Sequence, residues 1–90
     1  MKATVAGLVT PHLLRVVDLA NQAEQGVNVE WHLRDAVGRT LNDLAEQYNA
    51  SALTAAYIEG LENAAAQASK TRVEYARALQ TAVAAARNPG

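Results

Sequence analysis

The chain has no cysteine and no phenylalanine, and only two prolines and five glycines among its 90 residues. Without cysteine there are no disulfides, thiolate metal sites or cysteine nucleophiles, and the redox compartment is left open. Without phenylalanine, Trp31 and three tyrosines are the only large aromatics, so a core must rely on leucine, valine and alanine. Long apolar runs are also missing. Thr10, Pro11 and His12 interrupt the start before a signal-peptide core forms, and no stretch is apolar enough to span a membrane. Any export is therefore expected to need no cleaved N-terminal signal. Neither sign of charge dominates: the formal net charge of −1 argues against a generic nucleic-acid-binding surface.

What is there is alanine, glutamate and arginine, the composition of long helices rather than sheets. Ninety residues form one small domain with a modest core, and a partner is expected to help stabilise it. Beyond Glu62 the cations Lys70, Arg72, Arg77 and Arg87 face Glu74 alone. A basic C-terminal arm suits the negative end of its helix dipole.

Taken in order, residues 1–9 read as a tail. Thr10-Pro11 reads as a helix start, with threonine as cap and proline in the first turn. Leu13, Leu14, Val16, Val17, Leu19, Ala20 and Ala23 then form an apolar face. Gly26 sits where a C-terminal glycine cap belongs and predicts a break or a kink, after which Asn28 can cap a second helix. In that segment Leu33, Val37, Leu41, Leu44 and Tyr48 repeat at three- and four-residue steps, a coiled-coil-like seam. Trp31 lies slightly off it, as core or as a partner-facing anchor.

Tyr48-Asn49-Ala50-Ser51 is a polar break near the midpoint, and Ser51 is the expected cap of a third segment. That segment shows no glycine-plus-proline stop before Asn88-Pro89-Gly90, read as a short tail. Leu53, Tyr57, Leu61, Ala64, Ala68, Thr71, Tyr75 and Ala78/Leu79 keep one stripe throughout, which predicts a helix of roughly 35 residues and about 52 Å. Gly60 inside it costs about 1 kcal/mol relative to alanine.

The expected fold is all-α: an antiparallel helical hairpin with a long C-terminal helix and an N-terminal arm broken or kinked near Gly26. Folding at the midpoint places Trp31 against Ala64-Ala65-Ala66, large opposite small. Alanines off the stripe leave a shallow apolar surface, so two hairpins are expected to pair into a four-helix bundle.

No catalytic, cofactor or metal site is predicted, and the chain does not read as an enzyme. His12 and His32 lack HExxH, cysteine or convergent carboxylate spacing. Ser51 has no nucleophile elbow, and Glu59, Glu62 and Glu74 lack the Glu-x-x-His pairs of di-iron bundles. There is no glycine-rich phosphate loop. The seam that would carry hairpin or partner contacts is Trp31, Leu33, Val37, Leu41, Leu44, Leu53, Tyr57, Leu61, Tyr75 and Leu79. An alternative reading gives Lys70, Arg72 and Arg77, around Tyr75, an RNA-binding role in a regulatory hairpin.

With Tyr48-Asn49-Ala50 at the turn, followed by the small Ala52, Ala55 and Ala56, the chain resembles the WXG-family helical hairpins of type VII (ESX) secretion. Tyr48 and Ala50 stand where that family carries tryptophan and glycine. No tyrosine is followed four residues later by an acid, the family's secretion signal. Val9-Thr10-Pro11-His12-Leu13-Leu14 is similar to the related ESX secretion-associated (EspC-like) proteins. The resemblance implies a non-enzymatic secretion substrate or secretion-associated factor that pairs with itself or a cognate small hairpin. It implies export without a cleaved signal; outside that family, a cytoplasmic location is expected.

Overall fold

The computed structural model describes residues 4–88. The elements are α1 Val5–Glu24, α2 Glu30–Ala45, α3 Ala50–Gln67 and α4 Val73–Arg87, so the described chain is all-α. Four helices from one chain pack against each other. α4 touches all three others and lies most extensively against α1, whereas the consecutive pairs α1–α2 and α2–α3 share the smaller contacts.

Helix α1 starts earlier than the Thr10-Pro11 signal predicts. Thr4 is its cap, accepting the Gly7 N–H on its hydroxyl at 2.9 Å. Residues 5–9 are therefore helix rather than tail, and residues 1–3 lie outside the described residues. Pro11 sits inside the helix, where it removes one N–H from the ladder. The buried stripe explains why the helix runs through it: Val9, Val16 and Ala20 share one face, and Val9 is already in the core.

The break after α1 is complete. Gly26 adopts φ 95°, which an L side chain rarely takes. Its N–H binds the Ala23 carbonyl and the Val27 N–H binds the Gln22 carbonyl, both at 3.0 Å. This Schellman pattern closes the helix. Asn28 then accepts the Glu30 N–H on its side-chain oxygen at 3.3 Å, opening α2. At the midpoint Asn49, not Ser51, occupies the cap position of α3. Ser51 lies in the first turn, and Tyr48 projects from the connection 98% exposed.

The largest departure lies in the C-terminal half. The expected single helix is divided into α3 and α4 by a connection at residues 68–72. This segment contains neither glycine nor proline. Ala68 leaves the helix with φ −64° and ψ 134°, and the chain turns back on itself. Dividing the long stripe lets one chain close four helices around a core, so the bundle does not require a second hairpin.

That core is small-sided. Tyr57, Leu33, Leu61, Leu79, Val16 and Val37 are its largest fully buried side chains. α4 contributes Ala78, Leu79, Ala82 and Ala86, and three of these four are alanine, which permits close approach. α3 approaches α1 at Gly60, where an added Cβ would lie 2.6 Å from Leu13 Cδ1. A side chain at this position would have to push the end of the Leu13 side chain aside.

Candidate functional site

Of the seam residues, Leu33, Val37, Leu44, Leu53, Tyr57, Leu61 and Leu79 are buried, and Leu41 and Tyr75 pack half-buried against the same cluster. Trp31 does not join them. It is 68% exposed and meets His32 edge-on, with ring centroids 5.3 Å apart. The cause is angular: α2 buries Leu33, Ala36, Val37, Thr40 and Leu44. Trp31 lies two residues before Leu33, about 200° around the helix, and so on the outer side.

A separate open groove of about 450 Å³ runs between the α1–α2 corner and α4, and Trp31 is not part of its lining. Val29, Leu33 and Ala78 form its buried base, with Ala23 half-buried. Glu30, Glu74 and Arg77 line the exposed rim, and Thr81 is half-buried. Rim charges are partly neutralised locally, Glu30 by Arg34 at 3.3 Å and Glu74 by Arg77 at 3.5 Å. Val27, 48% exposed, continues the apolar surface at the corner, and Val73 is exposed at the start of α4.

The three cations of the alternative nucleic-acid reading do not act as one patch. Arg72 turns inward to α1. Its Nε and one terminal nitrogen reach the two Glu24 oxygens at 2.8 and 2.9 Å, and that nitrogen also reaches Asn21 Oδ1 at 2.8 Å. The guanidinium lies 3.8 Å from the centre of the Tyr75 ring, a cation–π contact. This arrangement holds the Glu24 carboxyl below the usual carboxylate range, chiefly through the hydrogen bonds from Arg72. Lys70 is exposed in the α3–α4 connection, and Arg77 faces Glu74.

The sequence offered one unused signal for this clamp. Glu24 is an acid in the last turn of α1, beside the negative end of the helix dipole, a position that favours a compensating cation. What it could not offer was the identity of that cation, 48 positions away.

One buried polar group stands apart. Tyr57 is fully buried, and among the described residues its hydroxyl has no hydrogen-bond partner. Burial pushes its pKa up. Thr40, the buried polar residue of α2, opposes that shift without reaching hydrogen-bond geometry. His12 meets the same ring edge-on at 6.4 Å. His12 and His32 remain on separate helices, and no group of three histidine or carboxylate side chains gathers as a metal set among the described residues. Nor is any described helix long and apolar enough to cross a membrane.

No family model, curated protein or solved structure matches the chain.

Proposed function

We propose that this protein is a non-catalytic helical module that works by binding another small helical chain, a second copy or a cognate partner. The observation that carries the reading is Trp31, the only tryptophan of the chain, held 68% exposed on the outer side of α2. An indole left in water on a helix is the kind of anchor that partner proteins bury. The groove adds a concave surface with a charged rim, which supports recognition by shape and charge rather than by a reaction.

A role as a type VII secretion substrate or secretion-associated factor is the more specific form of this proposal. Its support is the resemblance at the central turn, Tyr48-Asn49-Ala50 followed by the small Ala52, Ala55 and Ala56, and at Val9-Thr10-Pro11-His12-Leu13-Leu14. In that setting the partner is a second small helical protein encoded nearby.

Sedimentation of the full chain, alone and mixed with such neighbours, tests the reading. A two-chain species is expected, and Trp31→Ala should weaken it at least tenfold while leaving helicity unchanged. A monomer in every mixture, or pairing indifferent to Trp31, overturns it.

A further inference from the structure

The connection at residues 68–72 is unusual in what holds it bent. It has no glycine or proline, and neither adjoining helix end has a side-chain cap. α3 ends on Ala68 in extended conformation, and α4 begins after Arg72 with no side-chain hydrogen bond to its first turn. The local contacts centre on Ser69: its hydroxyl meets that of Thr71 at 2.8 Å and accepts the Thr71 N–H at 3.3 Å, and its carbonyl accepts the Arg72 N–H at 3.0 Å. The remaining restraint comes from elsewhere in the chain: the buried Ala78, Leu79, Ala82 and Ala86 face of α4, the Arg87–Glu62 pair that ties the far end of α4 to α3, and, nearest the bend, the hold of Arg72 on Glu24 and Asn21 in α1.

The sequence itself favours a straight path. Ala64, Ala68, Thr71, Tyr75 and Ala78 keep three- and four-residue spacing through the bend. Straightening would also pair the backbone groups that two helix ends leave without intrahelical partners. The resulting helix, residues 50–87, would hold 38 residues and extend about 57 Å. The longest axis of the folded molecule is 38 Å. A straight helix therefore cannot remain inside its own bundle: α4 must withdraw and leave uncovered the surfaces of α1, α2 and α3 that it packed against.

We propose that residues 68–72 are a conditional turn, locked by Arg72 and Glu24, whose straightening lets two copies of this chain exchange α4. A second copy is the fitting occupant because its α4 carries the same Ala78, Leu79, Ala82 and Ala86 face that the vacated surface already matches. This inference stands on the turn alone and does not use the Trp31 surface.

The test uses the full chain with two variants. Glu24→Gln releases the lock without touching the turn. Ser69→Pro favours the bend, because Ala68 already has the extended conformation that precedes proline, and proline would break the straight helix. Spin labels at Ser51→Cys and Ala84→Cys, with labelled chains diluted into unlabelled ones, report the intrachain distance. Glu24→Gln should tighten dimerisation at least tenfold, with a dimer distance of about 50 Å. Adding Ser69→Pro should abolish that dimer, and Trp31→Ala should leave it intact. Should Glu24→Gln lose its helices, the unaltered chain refolded at high concentration carries the same distance readout and the same Ser69→Pro comparison. A dimer whose labels stay within the 38 Å of the closed molecule, a dimer that survives Ser69→Pro, or no dimer under either condition overturns the proposal.

Discussion

Arg72 grips both oxygens of Glu24, at 2.8 and 2.9 Å, from 48 positions away in the chain. The pair joins the last turn of α1 to the start of α4, and Tyr75 backs the guanidinium from the other side. It therefore gives the last turn of α1, which carries no base of its own, a compensating cation.

The grip has a pH signature. A carboxyl whose folded pKa lies below its unfolded value contributes stability that is complete above the ordinary carboxylate range and is lost as pH falls through the folded value. Glu24→Gln should lower the melting temperature at pH 7 and flatten its decline on acidification. Because both side chains are 39% exposed, the difference should shrink in high salt. Thermal melts of both proteins across the acid range measure this.

Gly60 and Leu13 should behave as a coupled pair. Alanine at position 60 gains up to about 1 kcal/mol of helix propensity. Its Cβ, however, would lie 2.6 and 2.9 Å from the two Leu13 methyl carbons. Gly60→Ala is expected to destabilise the protein by about 1–2 kcal/mol. In a Leu13→Ala background the same change should become neutral or stabilising. A double-mutant cycle by urea unfolding reads the sign change directly.

Two other glycines should respond in opposite directions. An added Cβ at Gly38, within α2, meets nothing within 4 Å. Gly38→Ala should therefore stabilise by about 0.5–1 kcal/mol. Gly26 has equal space but φ +95°. Gly26→Ala should cost about 1–2 kcal/mol from backbone conformation alone. Denaturant midpoints with unchanged slopes check both.

Tyr57→Phe should be neutral or slightly stabilising at pH 7, because it deletes a buried hydroxyl without a hydrogen-bond partner. Above pH about 10 the gap should widen. The folded state raises the Tyr57 pKa, so its contribution is intact below the unfolded phenol value and declines as pH rises past it. Melting temperatures at neutral and alkaline pH distinguish the two proteins.

Helical character was legible because alanine-rich spacing at three and four residues acts locally, and Gly26 marked the place of a kink or break, which its φ of 95° makes a full break. The bend at residues 68–72 was not, because Ser69, Lys70 and Thr71 are tolerated inside helices and the decisive hold on Arg72 comes from α1. The register that set Trp31 against Ala64-Ala65-Ala66 fails, because the single hairpin it assumed is not formed and Trp31 is left outside. Once α4 packs against every other helix, the face that α2 buries runs through Leu33, Val37 and Leu44, and the register assumed for a simple hairpin no longer applies. Proline at position 11 misled for a different reason: apolar packing at Val9 extends the helix ahead of what reads as a strong local start signal.

The surface position of Trp31 also decides what light can report about this protein. With no other tryptophan in the chain and this one mostly in water before and after unfolding, its emission should change little when the bundle melts. It should shift to shorter wavelength when something dry settles over the ring. The molecule thus carries an intrinsic fluorophore that is nearly blind to folding and responsive to contact.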